Sequence, residues 1–181
     1  MSKGLLAGGK EKNEYQLQIY KKISGWLGFV DFEIFKILNQ AGESSKNAAV
    51  EIGVHHGKSV LPIACFSGKR KVYFIDVYGK QGKNIDHSGY GDKHAFLNNM
   101  KRFKIDMERI VIDERTSNEV TPKDITDSVG VIDFFHIDGG HHAKAVESDI
   151  NLACKVASEN CVIAIDDMFR PEWPEVSGAY S

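Results

Sequence analysis

Five short apolar runs rich in β-branched residues, at 48–54, 72–77, 110–112, 131–137 and 162–165, alternate with longer amphipathic stretches. The runs are nearly continuous in apolar residues, the pattern of strands covered by helices on both faces. Between them the spacing predicts helices over 59–67, 91–103 and 143–157. Pro62 falls in the first turn of the first of these, where its missing N–H costs little. A further helix over 31–40 precedes the first run, with Phe32, Phe35, Ile37 and Leu38 at near-helical spacing and Gly42 beyond its end. Such alternation specifies a doubly wound α/β fold with a mostly parallel sheet. Ligands in such sheets bind beyond the carboxyl ends of the strands, so the strand ends carry the functional reading.

A chain of 181 residues with no Pro/Ser-rich linker and no internal repeat reads as one domain. That domain is expected over 21–181, after a flexible polar segment at 1–20. With 23 Lys+Arg against 25 Asp+Glu, the net charge of -2 argues against a nucleic-acid binder that works through a basic face. The longest run without a charged residue, Ser59 to Gly68, is ten residues. A membrane span needs roughly 20, and the N-terminus lacks an apolar signal region. Cys65, Cys154 and Cys161 are odd in number, show no CxxC spacing, and read as small buried hydrophobes of a reducing, cytoplasmic compartment.

The first strand end reads AAVEIGVHHGKS, with Glu51, Gly53, Gly57 and Ser59. Gly53 and Gly57 allow a tight turn and close approach of backbone to a ligand. The pattern is not GxGxxG, so the dinucleotide fingerprint is only partly met. Glu51 would repel a pyrophosphate but suits a ligand bearing an ammonium group, such as S-adenosylmethionine. Asp76 ends the second strand, where a carboxylate can accept both ribose hydroxyls. The plainer alternatives are a strand-edge surface charge for Glu51 and a loop cap for Asp76.

E-x-G-x-x-x-G-x-S followed by an acidic second-strand end resembles the class I S-adenosylmethionine-dependent methyltransferases, whose fold is Rossmann-like. The closer resemblance, over 48–173, is to their metal-dependent O-methyltransferase branch, which includes catechol and antibiotic-sugar O-methyltransferases. It implies that Glu51 holds the methionine amino group, directly or through water. It also implies that Gly53, His55 and Ser59 line the methionine part and that Asp76 binds the ribose. Ser117, in RTSNEV, matches an adenine-side position with Asn118 beside it; locally Ser117 could equally cap a helix.

The fourth strand ends VIDFFHIDGGHH and the fifth CVIAIDDMF, which brings Asp138, Asp166 and Asp167 to neighbouring strand ends. Carboxylates packed together repel one another unless a hard cation joins them, which favours Mg²⁺, with Mn²⁺ as the alternative. The resemblance agrees, placing metal ligands at these strand ends, with Asp138 also at the cofactor edge. Here the pair is Asp-Asp where the branch commonly has Asp-Asn or Glu-Asp. Without a metal, Asp166 and Asp167 would cap a turn before Pro171. Asp133 reads as a strand-opening residue. The histidines at 55, 56, 136, 141 and 142 lack zinc spacing. His136 reads as a packed core residue, whereas His141, three residues past Asp138, matches the position of a general base in the family.

Two segments remain, a Gly-rich connection at 78–91 that suits a binding loop and FRPEWP at 169–174 that could wall the acceptor pocket. The expected activity is Mg²⁺-dependent O-methylation of a small hydroxylated acceptor. Its rivals are an NAD-linked enzyme, a non-catalytic binding module of the same fold, and a metal-dependent hydrolase. Sugar, catechol-like and other hydroxyls stay open as acceptors. The family pattern has seven strands; the last two are missing after the fifth run, which exposes an edge and suggests a homo-oligomer contact near 162–165.

Overall fold

In the computed structural model, which describes residues 17–41, 47–66 and 68–179, the apolar runs pair into one sheet. Its strands are β1 (Ala48–Ile52), β2 (Val72–Ile75), β3 (Ile110–Asp113), β4 (Ile132–Ile137) and β5 (Ala157–Ile165). All pairings are parallel, and the order is β3-β2-β1-β4-β5. The chain therefore winds outward from β1 to β3 and then crosses to the other side of β1. That reversal opens a crevice at the carboxyl ends of β1 and β4.

Helices flank the sheet among the described residues: α1 (Phe29–Ala41), α2 (Lys93–Phe103), α3 (Pro122–Val129), α4 (Ala143–Val156) and α5 (Pro174–Ala179). Alternation along each strand divides the interior into two cores. Phe74 and Phe134 meet Phe32, Phe35, Phe96 and Met100 on one face, while Tyr73 and Phe135 meet Ile125, Leu152 and Val156 on the other. Both faces are covered, as near-continuous apolar strands require.

Several elements differ from expectation. The stretch after β1 forms a π-helical turn, Leu61–Cys65, instead of a helix over 59–67; Ser67 lies outside the described residues. α3 has no apolar run, only Ile125 and Val129 buried, and owes its start to Pro122 and a Thr121–Asp124 capping box. β5 begins five residues earlier than expected: pairing of Ala157 with Ile132 on β4 draws in Ser158, Glu159 and Asn160, poor strand formers that hide the start from the sequence pattern. Its register against β4 jumps between Ile132↔Ala157 and Phe134↔Val162.

Residues 17–20 are helical, with Ile19 and Tyr20 buried and Tyr20 OH donating to Leu27 O at 2.7 Å. The segment expected to be flexible over 1–20 thus already belongs to the core at its end; residues 1–16 and Gly42 lie outside the described residues. The cysteines are less buried than expected, since Cys154 is exposed and Cys65 and Cys161 are partly so. No helix among the described residues is long and apolar enough to cross a membrane. Five strands are found among the described residues, and β5 is the outer strand beside β4.

Candidate active site

The ladder continues one residue past β1, β2, β4 and β5 and sets four functional positions in a row. Gly53 N donates to Ile75 O, Asp76 N to Asp113 O, Asp138 N to Ile52 O and Asp166 N to Ile137 O, all at 2.9–3.0 Å. Gly53 has φ +84, and a Cβ there would lie 1.6 Å from Asp138 O, so only glycine lets β1 and β4 end this close together.

The Asp76 carboxylate ties the turn after β1 to the start of the next connection. Its Oδ2 accepts from Val54 N at 2.7 Å and His55 N at 2.6 Å, and its Oδ1 from Tyr78 N at 2.5 Å. These bonds hold His55 and Tyr78 at φ +52 and +46. Burial and the neighbouring His56 pull the His55 pKa down, and Trp26 covers its ring at 5.3 Å. Above this row lies a cleft of about 950 Å³, a size suited to a cofactor with an acceptor.

At the other end the carboxylates converge. Among the described residues, two groups bring ligand atoms within 4.8 Å of one another: His136, Asp138 and Asp166, and Asp138, His141 and Asp167. Burial holds the Asp138 carboxyl well above the usual carboxylate range; His136 opposes this, while Asp166, Glu51 and Asp167 add to it. Asp167, at φ +57, donates its amide to Asp166 Oδ1 at 2.8 Å. His141 Nε2 lies 3.0 Å from Asp167 Oδ2, and its ring stacks on Trp173 at 4.1 Å and 14°.

A family model described as a methyltransferase domain matches residues 50–168. The chain belongs to this methyltransferase family. The resemblance to class I S-adenosylmethionine-dependent methyltransferases is thereby borne out. No match is found among curated proteins. Among solved structures, the O-methyltransferase from Bacillus cereus in complex with SAH is similar at TM-score 0.65 and 16% identity, over 94% of this chain and 76% of that one. CalS11, a calicheamicin methyltransferase, gives 0.62 and 12%, over 94% and 82% of the two chains. MycE, a methyltransferase from the mycinamycin biosynthetic pathway in complex with Mg and SAH, gives 0.58 and 17%, over 94% and 43%. At these identities the likeness is one of fold.

The methyltransferase cleft is lined by Gly53, His55, Asp76, Ser117 and Asp138 of the expected cofactor residues, with Asp166, Asp167 and His141 at its far end. Glu51, Gly57 and Ser59 do not line it. The Glu51 side chain turns into the α1 layer, fully buried, with Oε1 2.9 Å from His136 Nδ1 and Oε2 without a hydrogen-bond partner. Direct contact with a methionine amino group does not fit that placement. Gly57, at φ +79, instead makes room for Phe96, which a Cβ would meet at 2.8 Å, and Ser59 is buried with its carbonyl accepting from Ile63 N.

Thr116, not Ser117, caps the short turn Ser117–Glu119; Ser117 lines the cleft, with its hydroxyl beside the buried Asp149 carboxyl. His136 is the packed core histidine expected, against Phe35 at 4.7 Å. His142 stands apart, exposed and 3.9 Å from Glu175. Sequence reasoning missed Asp86 and the stacking role of Trp173. Both lie in irregular segments with no periodic signal; a lone acid in the 78–91 connection was the only hint of the first.

Proposed function

We propose that this methyltransferase transfers a methyl group from S-adenosylmethionine to the hydroxyl oxygen of a small acceptor, with Mg²⁺ at Asp138, Asp166 and Asp167 and with His141 as general base. The observation that carries this reading is that Asp138 brings its carboxylate within reach of Asp166 and His136 on one side and of Asp167 and His141 on the other, on one rim of the cleft. An all-oxygen set that is mutually repulsive when empty suits a hard divalent cation, and Mn²⁺ fits the same donors. When bound, the cation lowers the pKa of an acceptor hydroxyl and the sulfonium supplies the electrophilic methyl.

The chain's own residues do the rest. Asp76 orients the ribose, Ser117 faces the adenine side, and Gly53 and His55 border the methionine part. His141 Nε2 takes the hydroxyl proton, and the closed rim formed with Trp173 keeps the reacting oxygen aligned. Glu51 supports the cleft floor from beneath, through its pair with His136. Catechol-like and sugar hydroxyls are the acceptor classes this reading names. The reading also holds that 21–181 is one domain, that the protein works in the cytoplasm, and that a second copy covers the β5 edge, since an unpaired edge invites pairing.

The deciding experiment is a ligand panel on the intact protein. S-adenosylhomocysteine should raise Tm, by about 2.7 kcal/mol of added stability at 100 times Kd, and Asp76→Ala should remove most of that gain. Methyl transfer to a catechol or sugar panel should need Mg²⁺ and vanish in EDTA. Full turnover in EDTA would overturn the metal assignment, and stabilisation by NADH alone would overturn the cofactor.

A further inference from the structure

Asp86 lies in the connection between β2 and α2, 55 residues from His141 in sequence, yet its Oδ2 accepts two hydrogen bonds from that residue. One comes from the His141 amide at 2.6 Å and the other from ring Nδ1 at 2.8 Å. The other oxygen, Oδ1, accepts from Ser88 N at 3.0 Å, so the carboxylate is fixed from both sides. The pair is well enclosed, with the Asp86 side chain 3% and the His141 side chain 11% exposed. Trp173, stacked on the ring, removes the remaining freedom about its plane.

An ionised carboxylate can only accept hydrogen bonds. Burial pushes the Asp86 carboxyl up, but the bonds from the His141 amide and from Ser88 outweigh it and hold the pKa at about 2. Nδ1 must therefore be the donor, whether the ring is neutral or charged. Nε2 lies 3.0 Å from Asp167 Oδ2 and donates there when the ring is charged. With Nδ1 held as a donor, the neutral ring carries its lone pair on Nε2, free for an acceptor once the Asp167 oxygen is drawn to a cation or protonated.

The geometry points to Asp86 as the positioning residue of this methyltransferase, holding His141 with Nδ1 protonated and Nε2 turned to the acceptor. This rests on the reading of His141 as the base. The same connection begins at Tyr78, whose amide binds Asp76, so one strap links the ribose anchor to the base. No electron or group transfer is involved; Asp86 acts only by selecting a tautomer and a ring orientation.

The test uses the full chain with ¹⁵N-labelled histidine, saturated with S-adenosylhomocysteine and Mg²⁺, as wild type, Asp86→Ala and Asp86→Asn. Long-range ¹H–¹⁵N spectra should show His141 Nδ1 protonated in the wild type. Asp86→Ala should shift the neutral ring towards the Nε2–H form, and the isosteric Asn variant, which keeps an acceptor oxygen, should show a mixture. Turnover should fall roughly 10- to 100-fold in Asp86→Ala through kcat, less in Asp86→Asn, with the Kd for S-adenosylhomocysteine and the acceptor KM within about twofold. If Asp86→Ala does not fold, Asp86→Asn decides alone. A wild-type Nδ1 signal in the folded variants would overturn the proposal, as would a loss of Tm with kcat intact. Full turnover by His141→Ala would instead remove the base assignment and leave the tautomer result standing.

Discussion

His136 Nδ1 sits 2.9 Å from Glu51 Oε1 with neither side chain more than 2% exposed, so two charge-bearing groups are neutralised inside the sheet layer. Burial pulls the His136 pKa down, but the Glu51 hydrogen bond more than offsets this and holds it above its ordinary value. Removing one partner of such a pair strands the other. Glu51→Ala should therefore cost about 3–5 kcal/mol, read by urea unfolding, and Glu51→Gln distinctly less. S-adenosylhomocysteine affinity of Glu51→Gln should stay within a few-fold of wild type, because the side chain does not reach the cleft. A hundredfold loss of affinity without loss of stability would restore a direct contact.

The carboxylate rim makes an opposite prediction. In EDTA, Asp138→Asn should raise Tm, since it removes a buried charge that Asp166 and Asp167 oppose. For a chain of this length each 1 kcal/mol corresponds to roughly 2–4 °C. Mg²⁺ should raise the Tm of the wild type, and the same variant should lose that increase. A destabilised variant that still responds to Mg²⁺ would contradict both halves.

Asp149, on α4, is 1% exposed, and the Ser117 hydroxyl is the polar group beside its carboxyl. Burial raises its pKa from 3.8 to about 6, with the neighbouring Ser117 hydroxyl acting to lower it. Because the folded value lies above the unfolded one, the folded state holds the extra proton between about pH 4 and 6. Stability from this group is thus full below pH 4 and lost as pH rises through 6, by up to about 3 kcal/mol. Asp149→Asn should be more stable than wild type at pH 7.5 and equal at pH 4, in unfolding curves taken without ligand. A pH-independent difference would refute the assignment.

Light scattering should find a dimer or larger species at micromolar concentration, through the edge of β5. Val162, 39% exposed on that strand, offers the probe. Val162→Lys should shift the population towards monomer with the fold unchanged by circular dichroism. An unchanged mass in the variant would move the contact elsewhere.

Strand–helix alternation made the sheet readable, and the acids at 76, 138, 166 and 167 were readable because a carboxylate just past an apolar run has few structural uses. Glu51 was misplaced for a specific reason. All five residues of β1 are buried, so its pattern does not say which face each side chain takes. The polar start of β5 and the nearly patternless α3 were invisible because tertiary pairing and a capping box, not periodicity, form them. Asp86 reaches His141 across 55 residues of chain, a closure no local pattern encodes.

The contact between Gly53 and the Asp138 carbonyl has a consequence for how such an enzyme can change its acceptor. The span from the cofactor turn to the carboxylate rim is set by two backbones in contact, like the fixed jaw of a vice. Side chains on the 78–91 and 169–174 segments can then be exchanged to admit a different acceptor while the distance from the glycine turn to the carboxylate rim stays the same. Substitution at residue 53 is the change that would alter both ends at once.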